Sequence, residues 1–234
     1  MGGRYWLWLG ARLLVAVVIV AWAMSYMGSG SSEKEFHKTL EALKQVHSFR
    51  MSMTASQGAT QQNEMHWEVD CQRDILHHQW HLVDSSTDPP TDLNQEEIFV
   101  AGQGYERQKD GSWAHPQGYG GMGSTKAMCR NLAQGNDTNL LPQIATMIRR
   151  GILQAGEKKA INGVSCREWL VTLKGGTTGL EHDKVCIGLD DHLPYEMSVD
   201  WQNSHTSISD YNAPIQFDVP DATVQPASAA SQTN

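Results

Sequence analysis

Residues 183 to 220 read DKVCIGLDDHLPYEMSVDWQNSHTSISDYNAPIQFDVP. In the middle, Tyr195, Met197, Val199 and Trp201 alternate without a break against Glu196, Ser198, Asp200 and Gln202. Near the end, Ile215, Phe217 and Val219 alternate with Gln216 and Asp218. A period of two is the mark of a strand with one buried face and one wet face. Three such pieces separated by short polar breaks predict an antiparallel meander, because parallel neighbours need a long crossover.

The same pattern recurs upstream. Phe49, Met51 and Met53 alternate with Arg50, Ser52 and Thr54 over 48–55; Met65, Trp67, Val69 and Cys71 share a phase over 64–71; Leu76, Trp80 and Leu82 do so over 75–83. The run SSTDPPTDLNQ reads as a loop, and a hairpin is expected about Gly102-Gln103-Gly104. Later, Asn162-Gly163 separates 158–161 from 164–173, a strong hairpin signal, with Trp169, Val171 and Leu173 on one side. Three segments carry helical spacing instead. Residues 33–46 place Phe36, Leu40, Leu43 and Val46 on one stripe, 124–133 can start at Ser124 or Thr125, and 140–153 place Leu141, Ile144 and Ile148 together. Two helices inserted in a β pattern belong across the open apolar face of the sheet.

The flanks differ from this body. Arg4 and Arg12 precede the apolar run Leu13 to Met24, and Ala21-Trp22-Ala23 fits a small-x-small cleavage pattern. Residues 1–27 therefore read as a signal peptide or, if Tyr5 to Met24 is retained as one helix, as an N-terminal membrane anchor. No cysteine stands near the signal end to take a lipid. Residues 28–32 are a linker, 33–220 the folded domain, and 221–234 a tail too polar to support a core. Formal charge is -8, and the first thirty residues hold no acid, so the body is more acidic still. Such a charge excludes a nucleic-acid partner, whose phosphates need a basic face.

The candidate sites are few. His77, His78 and His81 suggest a metal, but on a strand His78 points away from the others, and His77 and His81 stand about 13 Å apart at 3.3 Å per residue; no metal and no cofactor is expected. No G-x-S-x-G, H-E-x-x-H or phosphate-loop motif occurs, and Asp190-Asp191 sits where a turn favours Asp, so no catalytic residue is assigned. Gly118-Tyr119-Gly120-Gly121-Met122-Gly123, within 115–123, reads as a lid. The four cysteines are Cys71, Cys129, Cys166 and Cys186. Cys166 and Cys186 fall on consecutive strands, both opposite the apolar phase, and pair with each other on the outer face. Cys71 then pairs with Cys129, tying the sheet to the inserted helix. Free buried thiols are the alternative.

The segments TLEALKQVHSFRMSMTAS, EIFVAGQGYERQKDGSW, INGVSCREWLVTL, GLDDHLPYEMSV and SISDYNAPIQFDVPDA together resemble the periplasmic lipoprotein-carrier superfamily, the LolA-like and LppX-like half-barrels, over residues 33–221. The resemblance implies an α+β fold: a curved antiparallel half-barrel of about ten strands, with an N-terminal helix and two inserted helices over the concave face. It also implies a lipid, or the acyl chain of a lipoprotein, held between sheet and helices. The expected lining is Met51, Met53, Met65, Trp67, Trp80, Trp169, Val171, Met197, Val199 and Trp201. The same residues would equally fill a closed core. In that case the chain is a membrane-anchored envelope module for sensing or interaction, with a protein partner. Both readings place it in the periplasm or cell envelope, soluble after cleavage or held by residues 5–24 in the inner membrane.

Overall fold

The structure is a computed structural model and describes residues 34–115, 124–131, 151–173, 183–199 and 203–220. The proposed signal or anchor, linker and tail, most of the 115–123 loop, Trp201 and residues 140–150 of the third expected helix lie outside the described residues. Among the described residues, no helix is long and apolar enough to cross a membrane.

Eleven strands form a single antiparallel sheet: β1 Ser48–Gln57, β2 Gln61–Asp70, β3 Ile75–Asp84, β4 Thr91–Val100, β5 Gln103–Arg107, β6 Trp113–Ala114, β7 Gly151–Ile161, β8 Val164–Leu173, β9 Asp183–Gly188, β10 Pro194–Val199 and β11 Ser204–Ser209. Their spatial order is β6-β5-β4-β3-β2-β1-β11-β10-β9-β8-β7. Two runs of hairpins thus grow outward from a central seam where β1 pairs with β11, Met51 opposite Ile208. The β6 and β7 strands are the sheet's two edges, and their connection carries helix α2, Thr125–Asn131.

Helix α1, residues 34–43, lies on the concave face. Of its predicted stripe, Phe36 and Leu43, with Val46 just beyond, are buried and Leu40 is half-buried, with Thr39 buried beside them, while Lys38, Glu41 and Lys44 face solvent in i,i+3 ion pairs. Phe36 and Leu43 each contribute about 1.5–3 kcal/mol by leaving water. Beneath them pack Phe49, Met51, Trp67, Val69, Leu76, Phe99, Trp169, Val171, Val185, Ile187, Met197, Val199 and Ile208. The hairpin at Asn162-Gly163 has φ of 49° and 84°, the pair of positive angles that a two-residue turn of matching twist requires.

Three expectations need correction. The loop before β4 is shorter than the run SSTDPPTDLNQ suggests: β4 begins at Thr91, with Leu82 opposite Leu93 and Trp80 opposite Gln95. Its first half is polar on both faces and Leu93 is exposed, so no alternation marks it; pairing to β3 alone makes it a strand. The helix expected over 140–153 does not reach its end, because Gly151 to Leu153 already belong to β7, opposite Leu173 to Val171. A short apolar run serves a helix or a ladder equally well, and here the ladder takes it. The alternation Ile215-Phe217-Val219 forms no strand. This segment crosses the convex face instead, with Ile215 buried, Phe217 packed against Ile75, Ile98 and Trp113, and Val219 exposed. Arg73 fixes it: its guanidinium lies 5.0 Å over the Phe217 ring and donates to the Ile215 carbonyl.

Candidate functional site on the concave face

Strand register places Met51, Met53, Met65, Trp67, Trp80, Trp169, Val171, Met197 and Val199 on one face of the sheet. That face divides in two. Under α1, Met51, Trp67, Trp169, Val171, Met197 and Val199 are 7% exposed or less and belong to the packed core. The Trp67 ring stacks on His78 with centroids 5.1 Å apart, and Trp169 meets Phe36 of α1. Toward the β1–β2 hairpin no described residue covers the stripe. Met53, Met65 and Trp80 are only partly buried there.

An open trough of about 670 Å³ lies at that end, its base formed by Met53, Ala55, Met65 and Leu82, its rim by Ser56, Gln57, Gln61, Asn63, Asn203 and Ser204. Among the described residues, no charged side chain lines it. The size falls within the range of small-ligand pockets, and an apolar floor with a few amides and hydroxyls is the usual composition. Trp80 braces the wall by donating its indole N–H to Asn63 Oδ1 at 2.5 Å. Leu82 is legible in the sequence as the residue in phase with Trp80. Asn63 is not, because β2 starts at Gln61, three residues before the expected start at 64.

Between core and trough stands a polar island. His78 Nδ1 lies 3.7 Å from Glu97 Oε2, and Gln95 donates to Glu97 Oε1 at 2.7 Å. The indole N–H of Trp169 and His78 Nε2 are buried and have no hydrogen-bond partner among the described residues.

The other histidines of the cluster serve the convex face. His77 bridges Glu68 and Glu96 at 3.1 and 3.0 Å, and His81 meets Asp92 at 2.9 Å. Among the described residues, no group of three or more His, Cys, Asp and Glu is arranged to hold a metal. His192 reaches Glu35 of α1 at 2.6 Å, fastening the helix to the β9–β10 turn, and His182 lies outside the described residues. Asp191 has the backbone role that its turn position predicts: it accepts from the Leu193 N–H at 3.1 Å. It also accepts from the Tyr195 hydroxyl, whose pKa burial and this carboxylate push up.

Both expected disulfides are present. Cys71–Cys129 joins the β2–β3 turn to α2 with Cα atoms 6.0 Å apart, and Cys166–Cys186 joins β8 to β9 at 5.7 Å. The second lies on the convex side of the register, as expected, yet its cysteines are 0% and 1% exposed. Lys159, opposite Cys166, lies 2.6 Å from Glu196 and 3.4 Å from Glu168, the residues flanking Cys186 on its two neighbouring strands. This ion triad spans the bridge.

The curved antiparallel sheet with α1 on its concave face defines a half-barrel fold. No family model and no curated protein matches the chain. Among solved structures, LprF from Mycobacterium bovis overlays with a TM-score of 0.57 at 14% identity, over 82% of this chain and 98% of that one. A chain of the MucA/MucB complex from Pseudomonas aeruginosa gives 0.40 at 11% identity, over 80% of this chain and 59% of that one. A LolA superfamily protein from Nitrosomonas europaea gives 0.26 at 9%, over 80% and 95%. The overlay with LprF carries the fold assignment; the other two are too loose to carry an argument.

Proposed function

We propose that the chain is an exported, non-enzymatic binding protein that shelters a long apolar chain, a free lipid or the acyl chain of a lipoprotein, on its concave face. The observation that carries this is the continuation of the concave apolar stripe past α1 into the open trough floored by Met53, Met65 and Leu82. A closed module would end that stripe where the helix ends. Each methylene moved from water into such a trough contributes about 0.8 kcal/mol, so a chain of ordinary acyl length is held without any charged contact. The fold shared with LprF supports the reading. Two disulfides support export, since such bonds persist in oxidising compartments. Residues 1–27 are then a signal or anchor, and the glycine-rich run after His115 a lid over the ligand.

Native mass spectrometry of the protein extracted from the cell envelope tests this. A mass increment matching an acyl lipid, lost in Leu82→Glu, is the expected result. Extracted protein free of lipid, unable to take up a fluorescent fatty acid and co-purifying stoichiometrically with another envelope protein, would favour an interaction module instead.

A further inference from the structure

The two disulfides have opposite surroundings. Cys166–Cys186 is sealed under the Lys159 triad. Cys71 and Cys129 instead border an open pocket of about 460 Å³, and Lys44 and Lys126 share its wall. Cys71 is 9% exposed and Cys129 is half-buried. Attack on a disulfide requires that a thiolate reach a sulfur, and access sets which bridge exchanges. Cationic neighbours favour both the incoming and the leaving thiolate. Lys126 is exposed, and Lys44 shares its charge with Glu41 at 2.5 Å.

We infer that Cys71–Cys129 is a thiol–disulfide exchange site for a protein dithiol, and that opening it releases α2 from the sheet. The partner's thiolate attacks Cys129 Sγ, on the more exposed of the two residues. The Sγ–Sγ bond breaks, its electron pair leaves on Cys71 Sγ, and that thiolate takes a proton. The partner's second thiolate then attacks its own sulfur in the mixed disulfide, and Cys129 leaves and is protonated. The bridge gains two electrons and two protons, and the partner's dithiol becomes a disulfide.

Release follows from how few other ties hold α2 among the described residues. The helix has seven residues, too short to persist without tertiary support. Beyond the bridge, it is tied by Asp74, which accepts from Ser124 Oγ at 3.0 Å and from the Lys126 N–H at 3.1 Å, and by the buried Thr125.

The test uses the oxidised full chain under native conditions. It is exposed to dithiothreitol for graded times, alkylated and mapped by peptide mass. In parallel, it is incubated with thioredoxin whose second active-site cysteine is replaced by serine, which traps the mixed disulfide. Cys71 and Cys129 are expected to label at least about tenfold sooner than Cys166 and Cys186, with the trap on Cys129. Equal rates, prior opening of Cys166–Cys186, or no trapped species would overturn the assignment. Amide exchange over 125–131 is expected to rise at least about tenfold after selective reduction while β9 stays protected. Unchanged exchange in α2 would refute its release.

Discussion

The Phe36 ring of α1 meets the Trp169 ring of β8 edge-on, with centroids 5.5 Å apart and planes at 63°. The pair joins the first helix to a strand in the far half of the sheet. It is an aromatic contact between α1 and the half of the sheet beyond the central seam.

Phe36→Ala removes this contact and opens a cavity beneath α1. Stability should fall by about 3–5 kcal/mol, read by urea denaturation. A loss under about 1 kcal/mol would mean that the helix is held elsewhere, by the His192–Glu35 contact above all.

The two parts of the concave face should respond differently to a charge. Leu82→Glu places a carboxylate in the open trough, where water reaches it; the thermal melt should move little while uptake of a fluorescent fatty acid is lost. Trp67→Glu puts the same group into the packed core and should cost several kcal/mol or unfold the domain. Equal effects of the two variants on the melt would show that the trough is core as well.

Acid should loosen the sheet ends. Burial alone would raise the carboxyl pKa of Asp70, but the Arg73 backbone N–H and guanidinium outweigh it and hold the group below its ordinary value of 3.8. Burial would likewise raise the pKa of Glu68, but hydrogen bonds from Arg50 and His77 outweigh it and hold the group below 4.5. A carboxylate depressed on folding adds stability above its unfolded pKa and loses it as pH falls through the folded one. The melting temperature should therefore hold from pH 7 to about 5 and drop below about 4. In Arg73→Ala, the deficit relative to wild type should be largest at neutral pH and shrink as Asp70 protonates. A deficit independent of pH would assign the whole loss to the Arg73 contacts with Ile215 and Phe217.

The turn between β4 and β5 contains a local misfit. Ala101 has φ of 50° and Gly102 81°, the same two-residue geometry that Asn162-Gly163 adopts with its preferred residues. Alanine in the left-handed region costs about 1–2 kcal/mol, and asparagine tolerates it. Ala101→Asn should raise stability by about 1 kcal/mol, and a melt unchanged or lowered would contradict this reading of the turn.

What the sequence disclosed depended on alternation. Where one face is packed and the other wet, as at Phe49-Met51-Met53 or Met197-Val199, the strand and its inner face could both be read. Strand β4 was hidden because its first half has no buried face. Ile215-Phe217-Val219 misled because alternation reports two environments on opposite sides of an extended chain, and a segment lying flat on a sheet has those too. The division of the concave face was also illegible. Trp67 and Met65 share a phase on one strand, yet Trp67 is packed core and Met65 floors the trough. Of the two bridges, Cys166–Cys186 followed from strand adjacency and Cys71–Cys129 as the pair that remained, but the seal over Cys166–Cys186 depends on Lys159, Glu168 and Glu196, three residues that alternation marks merely as polar.

The pairing of β1 with β11 has a consequence for how the chain is made. Every other neighbour in the sheet is a hairpin partner from adjacent sequence, available as soon as it emerges. The seam alone needs a partner from the opposite end of the domain, where His47 and Asn212 hydrogen-bond across a separation of 165 residues. Non-local pairing is slow because loop closure must precede any gain from contact. The growing chain therefore carries β1 with one backbone edge unpaired until Ser204 to Ser209 have been synthesised. Whatever keeps this protein from sticking to itself before then must act on that one strand.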